Sequence, residues 1–500
     1  MPSGLERISE QRLQKLANIR AMGIDPYPHR YQRLHTTRQS VEMLTQAEQG
    51  GKTETEEVSI AGRIMANRTM GKISFIDIQD DSGKIQLFLS KNDLDERSNA
   101  LLKELDIGDI IGAKGVVFRT RSKEPTIRAK TLTMLSKSLQ PLPEKWHGLS
   151  DVEIRYRQRY LDLISNDQAR KTFRTRSQVV SAIRRYMDKR GFLEVETPVL
   201  QQEADNAAAK PFTTHHNSLD RDLFLRIEME LHLKRLIVGG FEKVYEIGRI
   251  FRNEGISFKH NPEFTMMESY EAYADYNSVM VMVEQMISSV ALEVIGTTVV
   301  PHGDTTIDLK APWQRLSFRD AITQYSGIDF VQYPNADMLR AKMREKGMAV
   351  DPKSSWAHLV DDLLSTFVEP KLIQPTFLID YPISLSPLAK KKPGQERVVE
   401  RFEAFAGGIE IANAFTELND PLDQRERFVQ QVKDKSAEGD EGKVDEDFLL
   451  AMEHGMPPTG GLGVGIDRLI MILTNNQSIR EVILFPTLKN KAEEKPDTKS

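Results

Sequence analysis

The stretch GGFEKVYEIGRIFRNEG at residues 239–255, with HNPEFTMMESY at 260–270 behind it, decides how this chain reads. Phe241–Ile247 reads as a strand, and His260–Tyr270 reads as a second strand beyond a short loop. The first strand brings Arg252 and Glu254, and His260, Phe264 and Glu268 come after the loop. Such a set can hold a nucleotide. A guanidinium presents a planar fork to a phosphate, a phenyl ring offers a stacking face, and a carboxylate orients an amine.

Toward the C-terminus the acids Glu403, Glu410 and Glu417 fall in two runs, 401–405 and 407–417. Glu403 and Glu410 do not share one strand face by parity, but a hairpin turned at Gly407-Gly408 brings them within reach of each other. Two carboxylates plus phosphate oxygens are a common way to hold Mg²⁺. Gly460–Met471 then reads as a Gly-rich strand running into a helix whose first turn bears Arg468. No P-loop is present, and Gly461–Gly465 is too short for a dinucleotide fingerprint. From about 150 to 490 helices and strands alternate without a strict βα repeat, so the class is α+β.

Toward the N-terminus the periodicity changes to two. Val58, Ile60 and Ile64 alternate with Ser59, Ala61 and Arg63, Ile76 and Ile78 with Phe75 and Asp77, and Ile85, Leu87 and Leu89 with Gln86 and Phe88, and Asp80–Gly83 turns the last two runs into a hairpin. A helical segment (Leu94–Leu105) and two strands, 109–120 and 126–136, follow. Three strands, a helix and two strands are the order of a five-stranded OB barrel, which often binds oligonucleotides. Phe75 and Gln86 fall on the outer face, where a ring suits base stacking and an amide suits a base edge. Residues 5–22 read as an amphipathic helix, and a Gly/Thr/Glu-rich linker covers about 50–57.

Length and composition bound the rest. At about 100–200 residues per domain, 500 residues predict two to four domains. Cysteine is absent, which excludes disulfides and thiolate chemistry and fits a reducing compartment. The opening residues lack the apolar run of a signal peptide, and no stretch is expected to span a membrane, so the cytoplasm is the expected location. A net charge of −5 argues against non-specific nucleic-acid binding. Locally, Glu153–Gly191 holds eleven Lys/Arg against four Asp/Glu, and Phe118–Lys137 six against one; both read as solvated faces. Asp434–Asp447 reads as an exposed acidic insertion.

Three ordered segments resemble the signature motifs of class II aminoacyl-tRNA synthetases: Gly191–Pro198 (GFLEVETP), Phe251–Glu254 (FRNE) and Gly463–Arg468 (GVGIDR). The wording between them is similar to the lysyl members, in THHN at 214–217, LKRL at 233–236, VGGFE at 238–242, HNPEFT at 260–265 and ELND at 417–420. The barrel carries matching segments, GRI at 62–64 and MGK at 70–72, and RYRQRYLDL follows it at 155–163. The resemblance spans about residues 13–488.

The resemblance implies an N-terminal extension and linker at 1–56 and an OB-fold anticodon-binding domain at 57–143. It further implies a catalytic domain at 144–490, built on an antiparallel sheet flanked by helices, and a polar tail at 491–500. It implies a lysine–tRNA ligase that forms lysyl-adenylate from L-lysine and ATP, then transfers lysine to tRNA(Lys). The implied partners are a second copy of the chain, tRNA(Lys), ATP and L-lysine, with no DNA and no membrane.

By motif match, Arg252 would bridge the lysine carboxylate and the α-phosphate, and Arg468 would contact the γ-phosphate. Glu254 would hold the adenine amine, His260 the triphosphate, and Phe264 would stack on the adenine. Glu403 and Glu410 would ligate Mg²⁺. Glu230 and Glu268 would face the α-amino group, Glu417 and Tyr270 the ε-ammonium, Asn413 the carboxylate and Phe415 the methylene stem. Phe75 and Gln86 would read the anticodon. Two segments depart from the family pattern. Asp205-Asn206-Ala207 stands where Gly-Gly-Ala is usual, and Glu228 stands where a small residue is usual. On a strand, Glu228 and Glu230 would share a face and repel. The competing readings are a non-catalytic RNA-binding paralogue, a ligase acting on a protein, and a lipid lysyl transferase.

Overall fold

The computed structural model describes residues 4–143, 152–202, 209–438 and 443–489. The chain divides into two units, Met1–Leu149 and Ser150–Ser500.

In the first unit, β1 (Glu54–Met70), β2 (Ile73–Gln79), β3 (Lys84–Ser90), β4 (Ile110–Arg119) and β5 (Pro125–Ser136) form a closed barrel. The order is β1-β2-β3-β5-β4, with β3 and β5 parallel and the other pairs antiparallel. The alternating apolar positions fill it: Val58, Ile60, Ile64, Ile76, Ile78, Ile85, Leu87 and Leu89 are all buried. The β2–β3 turn closes because the Asp80 carboxylate accepts from the backbone N–H of Ser82 at 2.8 Å and of Gly83 at 3.0 Å.

Two details differ from the sequence reading of this unit. β1 begins at Glu54, inside the expected linker, and a second helix, Thr37–Gln49, opens with a capping box between Thr36 and Gln39. The basic run 118–137 is not a uniformly solvated face, because Lys137 is buried against Asp106 at 2.6 Å and Asp109 at 2.9 Å.

In the second unit β6 (Leu193–Glu194) precedes a small sheet of β7 (Leu200–Gln201), β8 (Thr213–His216) and β9 (Arg221–Leu225). Then come β10 (Lys243–Phe251), β11 (Glu263–Ala272) and a hairpin, β12 (Val299–His302) and β13 (Thr305–Asp308). The remaining strands are β14 (Gln314–Ser317), β15 (Thr376–Pro382), β16 (Lys391–Lys392), β17 (Gln395–Ala406), β18 (Ile409–Thr416) and β19 (Thr459–Gly465). The main sheet has nine strands in the order β14-β15-β17-β18-β19-β11-β10-β6, with β16 beside β17. Its central pairs are antiparallel, and the outermost pairs, β10–β6 and β14–β15, are parallel.

Helices Asp167–Lys189, Tyr276–Ile295 and Ile466–Thr474 bury their apolar residues against one face of this sheet. The other face is covered at both ends, by helix Glu230–Val238 over Val244 and Tyr270 and by residues 318–372 over Leu378 and Phe405, with a cavity between them. Contrary to the sequence expectation, one segment does reach the length and apolarity of a membrane span: Tyr276–Ile295, 20 residues with a mean hydropathy of 1.6. Val279, Val283, Met286, Ile287 and Val290 show why it is so apolar, since all pack in the core.

The basic run 153–191 also needs correction. Arg159 is fully buried, pairs with Asp162 at 2.6 Å and donates to the Leu484 carbonyl at 3.0 Å, while Arg155 bonds Glu481 at 2.9 Å and Arg176 bonds Asp467 at 2.5 Å. These cations tie distant segments together. The first part of the expected acidic insertion is helical, as Pro421–Glu438, and residues 439–442 lie outside the described residues.

Candidate active site

This second face of the sheet carries a cavity of about 570 Å³, within the usual range for small-molecule sites. Its floor is set by register. Gly461 on β19 lies between Tyr270 of β11 and Phe415 of β18, and Gly463 lies between Glu268 and Asn413. Four functional side chains therefore stand around two glycines. A Cβ on Gly461 would collide with Glu417 Oε1 and come within 2.6 Å of the Tyr270 ring, so only glycine lets these groups close over the strand.

One end of the cavity is acidic. Glu228, Glu230, Glu268, Tyr270 and Glu417 line it. Glu230 begins the helix Glu230–Val238, and Glu228 lies in the loop before it, so the strand parity expected for this pair does not apply. Asp205-Asn206-Ala207 lies outside the described residues. Glu268 accepts from the Met229 N–H at 3.0 Å and from the Tyr270 hydroxyl at 3.2 Å. Burial pushes the Glu268 carboxyl up to about 7 and the Glu417 carboxyl up to about 8, in the latter case against the pull of Lys234. Lys234, from the same helix as Glu230, is completely buried and pairs with both Glu230 and Glu417.

The other end is basic. Arg252 and Glu254 follow β10 in the loop, not on the strand itself. The Arg252 guanidinium sits 5.4 Å from the Phe264 ring centroid, a cation–π contact that aligns the two. Shielding by the cavity wall, then the charges of Arg468 and Lys259, push His260 down to about 4, so it is a neutral imidazole at neutral pH. Arg468 stands in the first turn of helix Ile466–Thr474 and bonds the Glu410 carboxylate at 3.0 Å. Beside it, Asp467 accepts from Arg176 at 2.5 Å and from the Thr265 N–H at 2.6 Å, fixing that turn to β11.

A β-bulge completes the arrangement. Phe405 pairs with Glu410 and Ala404 with Ala412, which leaves Ile411 as the extra residue on β18. The bulge turns Glu410 onto the same face as Asn413 and Glu403, which simple alternation would have denied it. Glu403 stands apart, because it is the one ATP or lysine candidate that does not line the cavity. Arg401 and the Tyr381 hydroxyl bond its oxygens at 2.5 and 2.8 Å. Burial first, and the nearby Glu410 as well, push Glu403 up to about 7 against the pull of Arg401. A buried acid beside a half-exposed one fits a divalent cation, since each carboxylate retains unused lone pairs and metal charge would relieve their repulsion. No group of three or more metal-ligating side chains occurs among the described residues, so any ion would draw further oxygens from its substrate.

Sequence reasoning missed two residues of this site, Arg401 and Lys234. Arg401 donates to Asn413 Oδ1 at 3.1 Å and to Glu403, linking both sides of the β17–β18 hairpin. Its two-residue spacing to Glu403 was the available signal. For Lys234 the signal was the four-residue spacing to Glu230 on a helix.

On the barrel, Phe75 is half-buried and packs edge-on against Phe88, with ring centroids 5.5 Å apart. Phe88 meets Phe118 at 6.3 Å, and Arg128 lies 4.8 Å from the Phe118 centroid. Gln86 is on this face but is more sunken than an outward residue should be. It is 7% exposed and accepts from Thr126 Oγ1 at 3.2 Å.

Residues 151–489 match the family described as tRNA synthetases class II (D, K and N), and residues 58–135 match the OB-fold nucleic acid binding domain. A lysine–tRNA ligase of Dehalococcoides mccartyi is 60% identical over 488 residues, 97% of this chain and 98% of the relative. Lysine–tRNA ligases of Pelotomaculum thermopropionicum and Bacillus cytotoxicus are 52% and 49% identical, each over 97% of this chain and 95% and 98% of their own lengths.

Proposed function

The chain belongs to the class II tRNA synthetases, and from that premise we propose that it attaches L-lysine to tRNA(Lys) in two ATP-driven steps. The observation that carries the choice of lysine is the acidic end of the cavity, where Glu230, Glu268, Glu417 and Tyr270 converge. A desolvated ammonium needs paired negative charge, and lysine brings two such groups.

In the first step a carboxylate oxygen of lysine attacks the α-phosphorus of ATP. The bond from that phosphorus to the bridging oxygen breaks, and pyrophosphate leaves. Arg252 neutralises charge on the carboxylate and α-phosphate, while Arg468 holds the γ-phosphate. Phe264 stacks on the adenine, Glu254 accepts from its amine, and neutral His260 donates toward the triphosphate. Asn413, its carbonyl held by Arg401, turns its NH₂ to the lysine carboxylate, and Phe415 covers the methylene stem. In the second step a terminal ribose hydroxyl attacks the carbonyl carbon, AMP departs, and the hydroxyl proton is lost with it. No side-chain nucleophile is required, because positioning and charge neutralisation account for the chemistry.

Glu403 and Glu410 would hold Mg²⁺, which when bound neutralises phosphate charge. The barrel face of Phe75, Phe88 and Gln86 suits anticodon bases. A second copy of the chain would cover the first-motif segment and the residues just after it, where Leu193, Val199 and Leu200 are exposed. The absence of cysteine and a role in translation both suit the cytoplasm. The test is ATP–pyrophosphate exchange with each of the twenty amino acids. Lysine alone should support rapid exchange, and equal exchange with a neutral amino acid would refute the assignment.

A further inference from the structure

Lys234 is a fully buried cation that does not line the cavity, yet it touches two acids that do. Its Nζ bonds Glu230 Oε1 at 2.5 Å on its own helix and pairs with Glu417 at the end of β18. The Phe448 ring stands 6.0 Å away on its remaining side. Lys234 thus sits behind the acidic wall, sealed from anything the cavity holds. We propose that Lys234 is a positioning residue for ammonium recognition, an internal counter-ion that offsets the crowded negative charge and holds Glu417 and Glu230 aimed at the substrate's amine. This rests on the lysine reading given above.

The charge arithmetic requires such a group. Glu417 is faced by Lys234 and Glu230 from the helix and by Glu268 and Tyr270 from β11, and Glu228 acts on Tyr270 from the preceding loop. Lys234 is the cation that touches Glu417 and Glu230, and Arg252 acts on Glu268 from the loop after β10. Several carboxylates crowded in a low-dielectric wall cannot all stay ionised without compensation, and those left unpaired take up protons. A protonated Glu417 has no charge to offer the ε-ammonium. Proton affinity in this wall is already raised, as the values near 7 for Glu268 and near 8 for Glu417 show. Removing Lys234 raises it further. The flanking acids in turn hold Lys234 protonated, well above its ordinary range.

The decisive experiment measures lysine-dependent ATP–pyrophosphate exchange by the full-length protein and its Lys234→Met variant from pH 6.5 to 9. Methionine keeps the length and packing of the stem and removes only the charge. The expected KM for lysine at pH 7 is at least tenfold above that of the parent and falls back toward it as pH rises, with kcat changed less than threefold. A KM within twofold of the parent at every pH would overturn the proposal, and so would one raised equally at every pH, as a packing defect requires. If Lys234→Met does not fold, Lys234→Arg decides. With the charge kept, its KM–pH profile should run parallel to that of the parent, and a profile that steepens toward acid would refute the role. The parent protein separates the two levels of inference. If it shows no lysine-dependent exchange, the lysine reading fails, whereas an active parent beside an unaffected variant removes only the role of Lys234.

Discussion

Replacing Gly461 by alanine tests the geometry of the acidic wall with a single methyl group. The new Cβ would collide with Glu417 Oε1 and lie 2.6 Å from the Tyr270 ring, against a comfortable carbon–carbon separation of about 3.5–4.0 Å. Neither neighbour moves freely, since the Tyr270 hydroxyl bonds Glu268 at 3.2 Å and a shift into the cavity takes either group out of place. Glu417 and Tyr270 are 0% and 3% exposed, and Lys234 pins the carboxylate from behind. Overpacking a closed site costs about 1–3 kcal/mol. If that cost is relieved by moving Glu417 and Tyr270 out of place, lysine binding weakens by roughly 5- to 150-fold, since about 1.4 kcal/mol is tenfold. The assay is the KM for lysine in pyrophosphate exchange, beside the KM for ATP and a thermal melt. The expected result is a large rise for lysine and little change for ATP, because Arg252, Phe264 and Arg468 lie toward the other end. An unchanged lysine KM in a folded Gly461→Ala protein would refute the reasoning.

Three other outcomes follow from the same structure. Glu410→Ala should lower adenylate formation by orders of magnitude with folding retained, and near-normal exchange at saturating Mg²⁺ would contradict it. Phe75→Ala should cost about 1–3 kcal/mol in tRNA recognition while exchange without tRNA hardly changes; an equal loss in both assays would make the ring merely structural. The lysine KM should fall as pH rises from 6 through about 8, because Glu268 near 7 and Glu417 near 8 shed protons and gain the charge an ammonium needs. A KM that rises over that interval would have the wrong sign.

What the sequence disclosed followed from local pattern. The period-two runs of the barrel, the Gly407-Gly408 hairpin and the Gly-rich strand before Arg468 are all features of neighbouring residues, and each is present. What stayed hidden depended on partners far along the chain. A count of charges made Arg155, Arg159 and Arg176 look solvated, because Glu481 and Asp467 lie roughly 300 residues away. The bulge at Ile411 cannot be read from alternation, since alternation is the rule it breaks. Lys234 resembled any helical Glu–Lys pair until the fold brought Glu417 onto it. The capping box at Thr36 and Gln39 was legible, but it falls in the part of the N-terminal extension to which no element was assigned.

Aminoacylation of a total bacterial tRNA pool by the purified protein, with each amino acid supplied in turn and the charged tRNA sequenced, tests the central claim most directly. Lysine alone should be transferred with ATP, and the acceptor should be tRNA(Lys). Charging of another tRNA at comparable rate, or lysine activation with no transfer to any tRNA, would contradict it.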